Sequence, residues 1–200
     1  TLSAMRHFAA ELRADGWNVD YIHLDDQDNS GSFTGEVTRA VERHGAARIR
    51  IVEPGEWRIK VAIDGWAAQC GVPVDILPDD RFICSTLEFQ TWAQARNELT
   101  MEFFYRDMRR RTGLLMTAEG KPEGGKWNLD KDNRASPKRG INYPEPMRFE
   151  PDDITTDVMA MVATRFIGHF GRLEKFSLPV TATQARRALA HFVRTALPEF

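Results

Sequence analysis

The chain has 200 residues, 42% of them hydrophobic and 28% charged, with a formal net charge of -2, an ordinary composition for a soluble globular protein. No apolar run approaches the roughly 20 residues of a membrane helix, and the opening residues, Thr1 to His7, lack the basic-then-apolar pattern of a signal peptide. Cys70 and Cys84 lie in separate segments, which argues against a disulfide framework, makes a reducing cytoplasm the default, and leaves too few thiolates for an iron–sulfur cluster, which normally takes four.

In chain order, Ala4, Phe8, Ala9 and Leu12 fall on one face of a helix that Gly16 stops. Asn18 to Leu24 reads as a strand, followed by the polar loop DDQDNSGSF. Thr34 to His44 reads as a helix with Val37, Ala40 and Val41 inward and Gly45 ending it. Ala47 to Val52 is a strand, and the turn EPGEW leads into one helix running to about Cys70. Val72 to Leu77 is a third strand. Alternating helices and strands predict parallel strands with helices packed on the sheet faces. Such a sheet needs a strand before its first helix, so the expectation is that the native chain begins earlier than Thr1.

Beyond Leu77 the pattern becomes helical. Ser85-x-x-Glu88 is a capping box opening LEFQTWAQAR. Thr100 can cap a helix to about Thr112, ended by Gly113. On it Met101, Phe104, Tyr105 and Met108 form a face that reads as core, with Arg106, Arg109 and Arg110 opposite. From Thr117 to Asp153 there is little periodicity, which predicts a long linker. Two helices follow, one from about Thr155 to Phe166 and one opened by Thr181-x-x-Gln184 and running to about Ala196. They read as the start of a helical domain that the chain does not complete.

No nucleophile elbow, P-loop or H-E-x-x-H motif is present, and the five histidines are scattered without a metal-ligand spacing. Ligands in open α/β sheets bind beyond the carboxyl ends of the strands. The loop after Leu24 is acidic, which disfavours phosphate. After Val52, Gly55 lets a ligand approach the backbone, and Glu53 and Glu56 suit hydrogen-bond donors such as ring N–H groups or ribityl hydroxyls. A plain capped helix start explains the same residues equally well. Charge is concentrated elsewhere: Arg106 to Arg139 holds ten Lys/Arg against five Asp/Glu, while the remainder holds 17 against 24. Lys126, Lys131, Arg134, Lys138 and Arg139, interleaved with Trp127 and Asn128, are candidate polyanion contacts. A solvated basic loop is the alternative.

Six stretches, SAMRHFAAELR, DDQDNSGSFTGEV, EPGEWR, LTMEFFYRDMRRRTGLLM, GGKWNLDKDNR and LEKFSLPVT, in this order and spacing, resemble the photolyase–cryptochrome proteins that carry an iron–sulfur cluster, including the prokaryotic (6-4) photolyases. The resemblance runs from Ser3 to about Ala196. It implies an α/β class: a Rossmann-like parallel sheet with flanking helices over residues 1–116, as in the antenna domain but without its first strands. An interdomain loop over 117–153 and the start of a helical FAD-binding-type domain over 154–200 would follow. Intact members are flavoprotein lyases that use FAD, 6,7-dimethyl-8-ribityllumazine and a [4Fe-4S] cluster. They repair ultraviolet pyrimidine photoproducts in damaged DNA by electron transfer from photoexcited reduced FAD, or sense blue light. Residue by residue, Arg134 matches the interdomain loop that approaches DNA, Thr1, Leu2 and Ser3 would border the antenna pocket, and the EPGEW turn lies near it. The flavin site, electron-passing tryptophans and cluster cysteines would fall beyond Phe200. The expectation is a cytoplasmic, membrane-free chain that binds none of these cofactors alone, is inactive by itself and is able to self-associate. The rival readings are a blue-light receptor, a stand-alone α/β ligand-binding module without catalysis, and a DNA-binding remnant without cofactor.

Overall fold

The computed structural model describes residues 1–128 and 144–199. They divide into two compact units, one built from the chain up to Asn29 and from Pro144 onward, the other from Ser30 to Asn128. Among the described residues there are eight α-helices and one two-stranded parallel sheet. The chain is a mixed α/β protein whose parallel strands are joined through helices.

In the second unit, α2 (Phe33–His44) starts where the Ser32 hydroxyl accepts from the Gly35 N–H and stops at left-handed Gly45. β1 (Ile49–Val52) pairs in parallel with β2 (Val74–Leu77), with Ile49 beside Val74 and Val52 beside Leu77. Parallel pairing requires a crossover connection, and here it is helical. Sequence predicts one helix there, but two form, α3 (Trp57–Asp64) and α4 (Trp66–Cys70), divided at Gly65. Glycine lacks the side chain that favours helix continuation. Ile63 and Trp66 are 2% exposed and make the core of this crossover. The Trp66 Nε1–H donates to Thr34 Oγ1 at 2.9 Å, tying α4 to α2. α5 (Thr86–Gln94) has the expected capping box, and α6 (Met101–Thr112) ends at left-handed Gly113.

In the first unit, α1 (Leu2–Ala14) packs on α7 (Asp153–Arg165), and α8 (Ala182–Thr195) is capped by Thr181. The segment Asn18–Leu24 does not form the predicted strand. A strand needs a ladder partner, and among the described residues this segment has none. Its polar backbone atoms turn to side chains instead: Val19 O accepts from Arg13, His23 N–H donates to Asp26, and His23 O accepts from Asn29.

Candidate nucleic-acid interface

α6 carries the arginines that begin the basic segment. Its presumed apolar face is less buried than its periodicity predicts: Met101 is 73% exposed, and Tyr105 is exposed as well. The reverse holds for Arg109, expected on the solvated face and found 6% exposed. The cause lies downstream. After Gly113 the chain turns back: Met116 bridges Pro122, Thr117 N–H donates to Lys121 O, and a short 3-10 turn covers Glu123–Gly125. Arg109 therefore sits under a returning loop, donating to the carbonyls of Leu114 and Leu115.

The return brings Trp127 against the arginines of α6. The guanidiniums of Arg110, Arg109 and Arg106 lie 4.8, 5.4 and 5.5 Å from the centre of its ring, within cation–π range. Arg106 pairs with Glu102 at 2.8 Å and Arg110 with Asp107 at 3.1 Å. Hydrogen bonds from Arg106 and then Asn128 hold the Glu102 carboxyl below its ordinary value. Arg109 has no carboxylate partner among the described residues; its third acceptor is the Tyr105 hydroxyl at 3.4 Å. A cleft of about 800 Å³ opens here, walled by Glu102, Tyr105, Arg109, Lys126, Trp127 and Asn128. Glu123 lines it too, so two carboxylates accompany the cations and the aromatic faces; a cation beside an aromatic face is the pairing that holds a phosphate backbone and stacked bases.

Of the basic candidates, Lys126 is exposed at this cleft. Lys131, Arg134, Lys138 and Arg139 lie outside the described residues. Sequence reading missed the burial of Arg109, because it depends on a loop return that has no periodic signature.

Thr1, Leu2 and Ser3 open α1 in the first unit. Thr1 is exposed, while Ser3 is buried with its hydroxyl 2.8 Å from that of Thr155. Beside it, His7 Nδ1–H donates to Ser3 O at 2.8 Å and Nε2–H to Asp152 at 2.6 Å. Glu53, Gly55 and Glu56 belong to the second unit. The Glu53 N–H extends the β1–β2 ladder to Leu77 O, Gly55 is exposed, and Glu56 pairs with Arg58 as α3 begins. Among the described residues no three His, Cys, Asp or Glu side chains gather to hold a metal ion, and no helix is long and apolar enough to cross a membrane.

The sequence model of the deoxyribodipyrimidine photo-lyase-related protein family matches residues 1–178. A (6-4) photolyase from Agrobacterium fabrum (strain C58 / ATCC 33970) is 50% identical over 198 residues, which cover 99% of this chain and 39% of that protein. The chain thus spans about two-fifths of that relative's length. With a match across most of its residues, the chain belongs to the deoxyribodipyrimidine photo-lyase-related protein family.

Proposed function

We propose that this chain is the α/β part of a photolyase-like flavoprotein that repairs (6-4) pyrimidine photoproducts in DNA with light. The observation that carries this reading is the 50% identity to a protein named a (6-4) photolyase, sustained over nearly the whole chain. Within the protein, the role assigned to these residues is contact with the DNA backbone. Lys126 at the Trp127 cleft supplies one cation, and Lys131, Arg134, Lys138 and Arg139 supply others from the segment that follows. Contacts of this kind hold a duplex in register while a damaged base leaves the stack.

FAD and 6,7-dimethyl-8-ribityllumazine are proposed cofactors of the intact flavoprotein. A [4Fe-4S] cluster does not fit this chain alone. Its two cysteines, Cys70 and Cys84, fall short of the four thiolates such a cluster normally takes.

Photorepair tests the reading. A duplex carrying one (6-4) photoproduct is incubated with the protein as the cell makes it, and lesion content is followed by chromatography in darkness and blue light. Loss of the lesion only under light is expected; a lesion that persists under light contradicts the proposal.

A further inference from the structure

Arg109 is a buried cation without a carboxylate partner among the described residues. Its side chain is nearly inaccessible, yet the groups it holds are two backbone carbonyls, a phenol and two aromatic rings. A guanidinium so far removed from water needs its donors satisfied in a fixed geometry. The carbonyls it grips belong to Leu114 and Leu115. Leu115 has φ 56°, the left-handed conformation, as no other described non-glycine residue does. That conformation is disfavoured for a leucine and persists only where its surroundings fix it. Two donors converge on the Leu115 carbonyl: Arg109 Nη2–H and, from the returning loop, the Glu123 N–H at 2.8 Å. Arg109 therefore joins α6, the turn after Gly113 and the return at Glu123. The same guanidinium lies against Trp127 at 5.4 Å. Arg106 contributes at one remove, because Glu102, its ion-pair partner, accepts from the Asn128 side chain at 3.2 Å.

We propose that Arg109 is a positioning residue that sets the Lys126–Trp127–Asn128 edge for contact with nucleic acid. This rests on the DNA-binding role proposed above. Arg109 is buried and does not itself meet the phosphate. It fixes where the Lys126 cation and the Trp127 ring stand. Lysine cannot replace it, since an ammonium has no planar fork to span two carbonyls while lying along an indole.

The test uses Arg109→Lys, Arg109→Gln, Lys126→Gln and Trp127→Phe in the 200-residue chain. Duplex affinity is measured by fluorescence anisotropy at several salt concentrations, below each variant's thermal midpoint. The emission of Trp127 is obtained as the difference between each protein and its Trp127→Phe counterpart. Both Arg109 variants are expected to lose about tenfold in affinity and to shift the Trp127 emission, with lysine failing to restore either. Lys126→Gln is expected to weaken binding and lower the salt slope by about 1 while leaving the Trp127 emission unchanged. Should Arg109→Gln only lower the melting temperature and bind DNA as tightly as the parent, the positioning role is overturned while the DNA-binding reading stands. Should the parent show no salt-dependent DNA binding, the DNA-binding reading itself fails and takes the positioning role with it. If Arg109→Gln does not fold, Arg109→Lys decides: parent-like DNA affinity and Trp127 emission in that variant overturn the proposal.

Discussion

His7 illustrates how one side chain can hold two distant pieces of sequence together. Both ring nitrogens face acceptors, Ser3 O and the Asp152 carboxylate, and only the doubly protonated ring donates to both. Burial works against that charge, but the hydrogen bonds to Asp152 and Ser3 outweigh it, raising the His7 pKa above 6.5. Burial likewise opposes ionisation of Asp152, but hydrogen bonds from His7 and Thr155 prevail and lower its pKa from 3.8 to about 2. A raised histidine pKa gives stability that is complete below 6.5 and lost as pH climbs through the folded value. A lowered carboxylate pKa gives stability complete above 3.8 and lost as pH falls toward 2. The pair therefore contributes most between these limits. Asp152→Asn keeps an acceptor for the Thr155 N–H at the start of α7 while removing the charge. It should cost about 1–2 kcal/mol near pH 5.5, discounted for the half-exposed carboxylate, and much less near pH 8. Thermal midpoints across that range check this; an unchanged difference at both ends contradicts it. Sequence reading takes the histidines as structural, and His7 is one, but the identity of its partner 145 residues away has no local signal.

At the scale of elements, what was legible is what depends on neighbours in sequence. The Ser85–Glu88 box forms as written: Ser85 Oγ accepts from the Glu88 N–H at 3.2 Å, and Glu88 accepts from the Ser85 N–H at 2.7 Å. Ser85→Ala should cost about 1 kcal/mol, measured by urea denaturation; no change would mean that α5 does not need its cap. Thr100 also begins its helix, yet its side chain makes no capping bond, so position alone was predictive there and mechanism was not. Elements that depend on distant partners were misread. Asn18–Leu24 has the composition of a strand, but composition does not supply a ladder. Arg109 has the position of a solvated residue, but the loop from Gly113 to Trp127 folds over it. The helix from Trp57 to Cys70 reads as continuous until Gly65 divides it.

At the scale of the molecule, alternation of helix and strand correctly announced a parallel pair joined by helices. It could not announce that α1, at the front of the chain, shares a compact unit with α7 and α8. That arrangement rests on buried polar pairs such as Ser3 with Thr155, which a sequence shows only as two ordinary hydroxyl residues. The resemblance to the family lay in the order and spacing of six short stretches, each weak alone, and the family match over residues 1–178 bears it out. The proposed role of this chain is to present cations to a DNA backbone. The most direct measurement is the affinity of the 200-residue chain for a duplex with one (6-4) photoproduct across a range of salt concentrations. If Lys126, Lys131, Arg134, Lys138 and Arg139 all neutralise phosphates, the plot of log affinity against log salt should approach a slope of about -4.5, and charge reversal of Lys138 and Arg139 should flatten it. Affinity that is immeasurably weak at low salt, or indifferent to salt, would contradict the account.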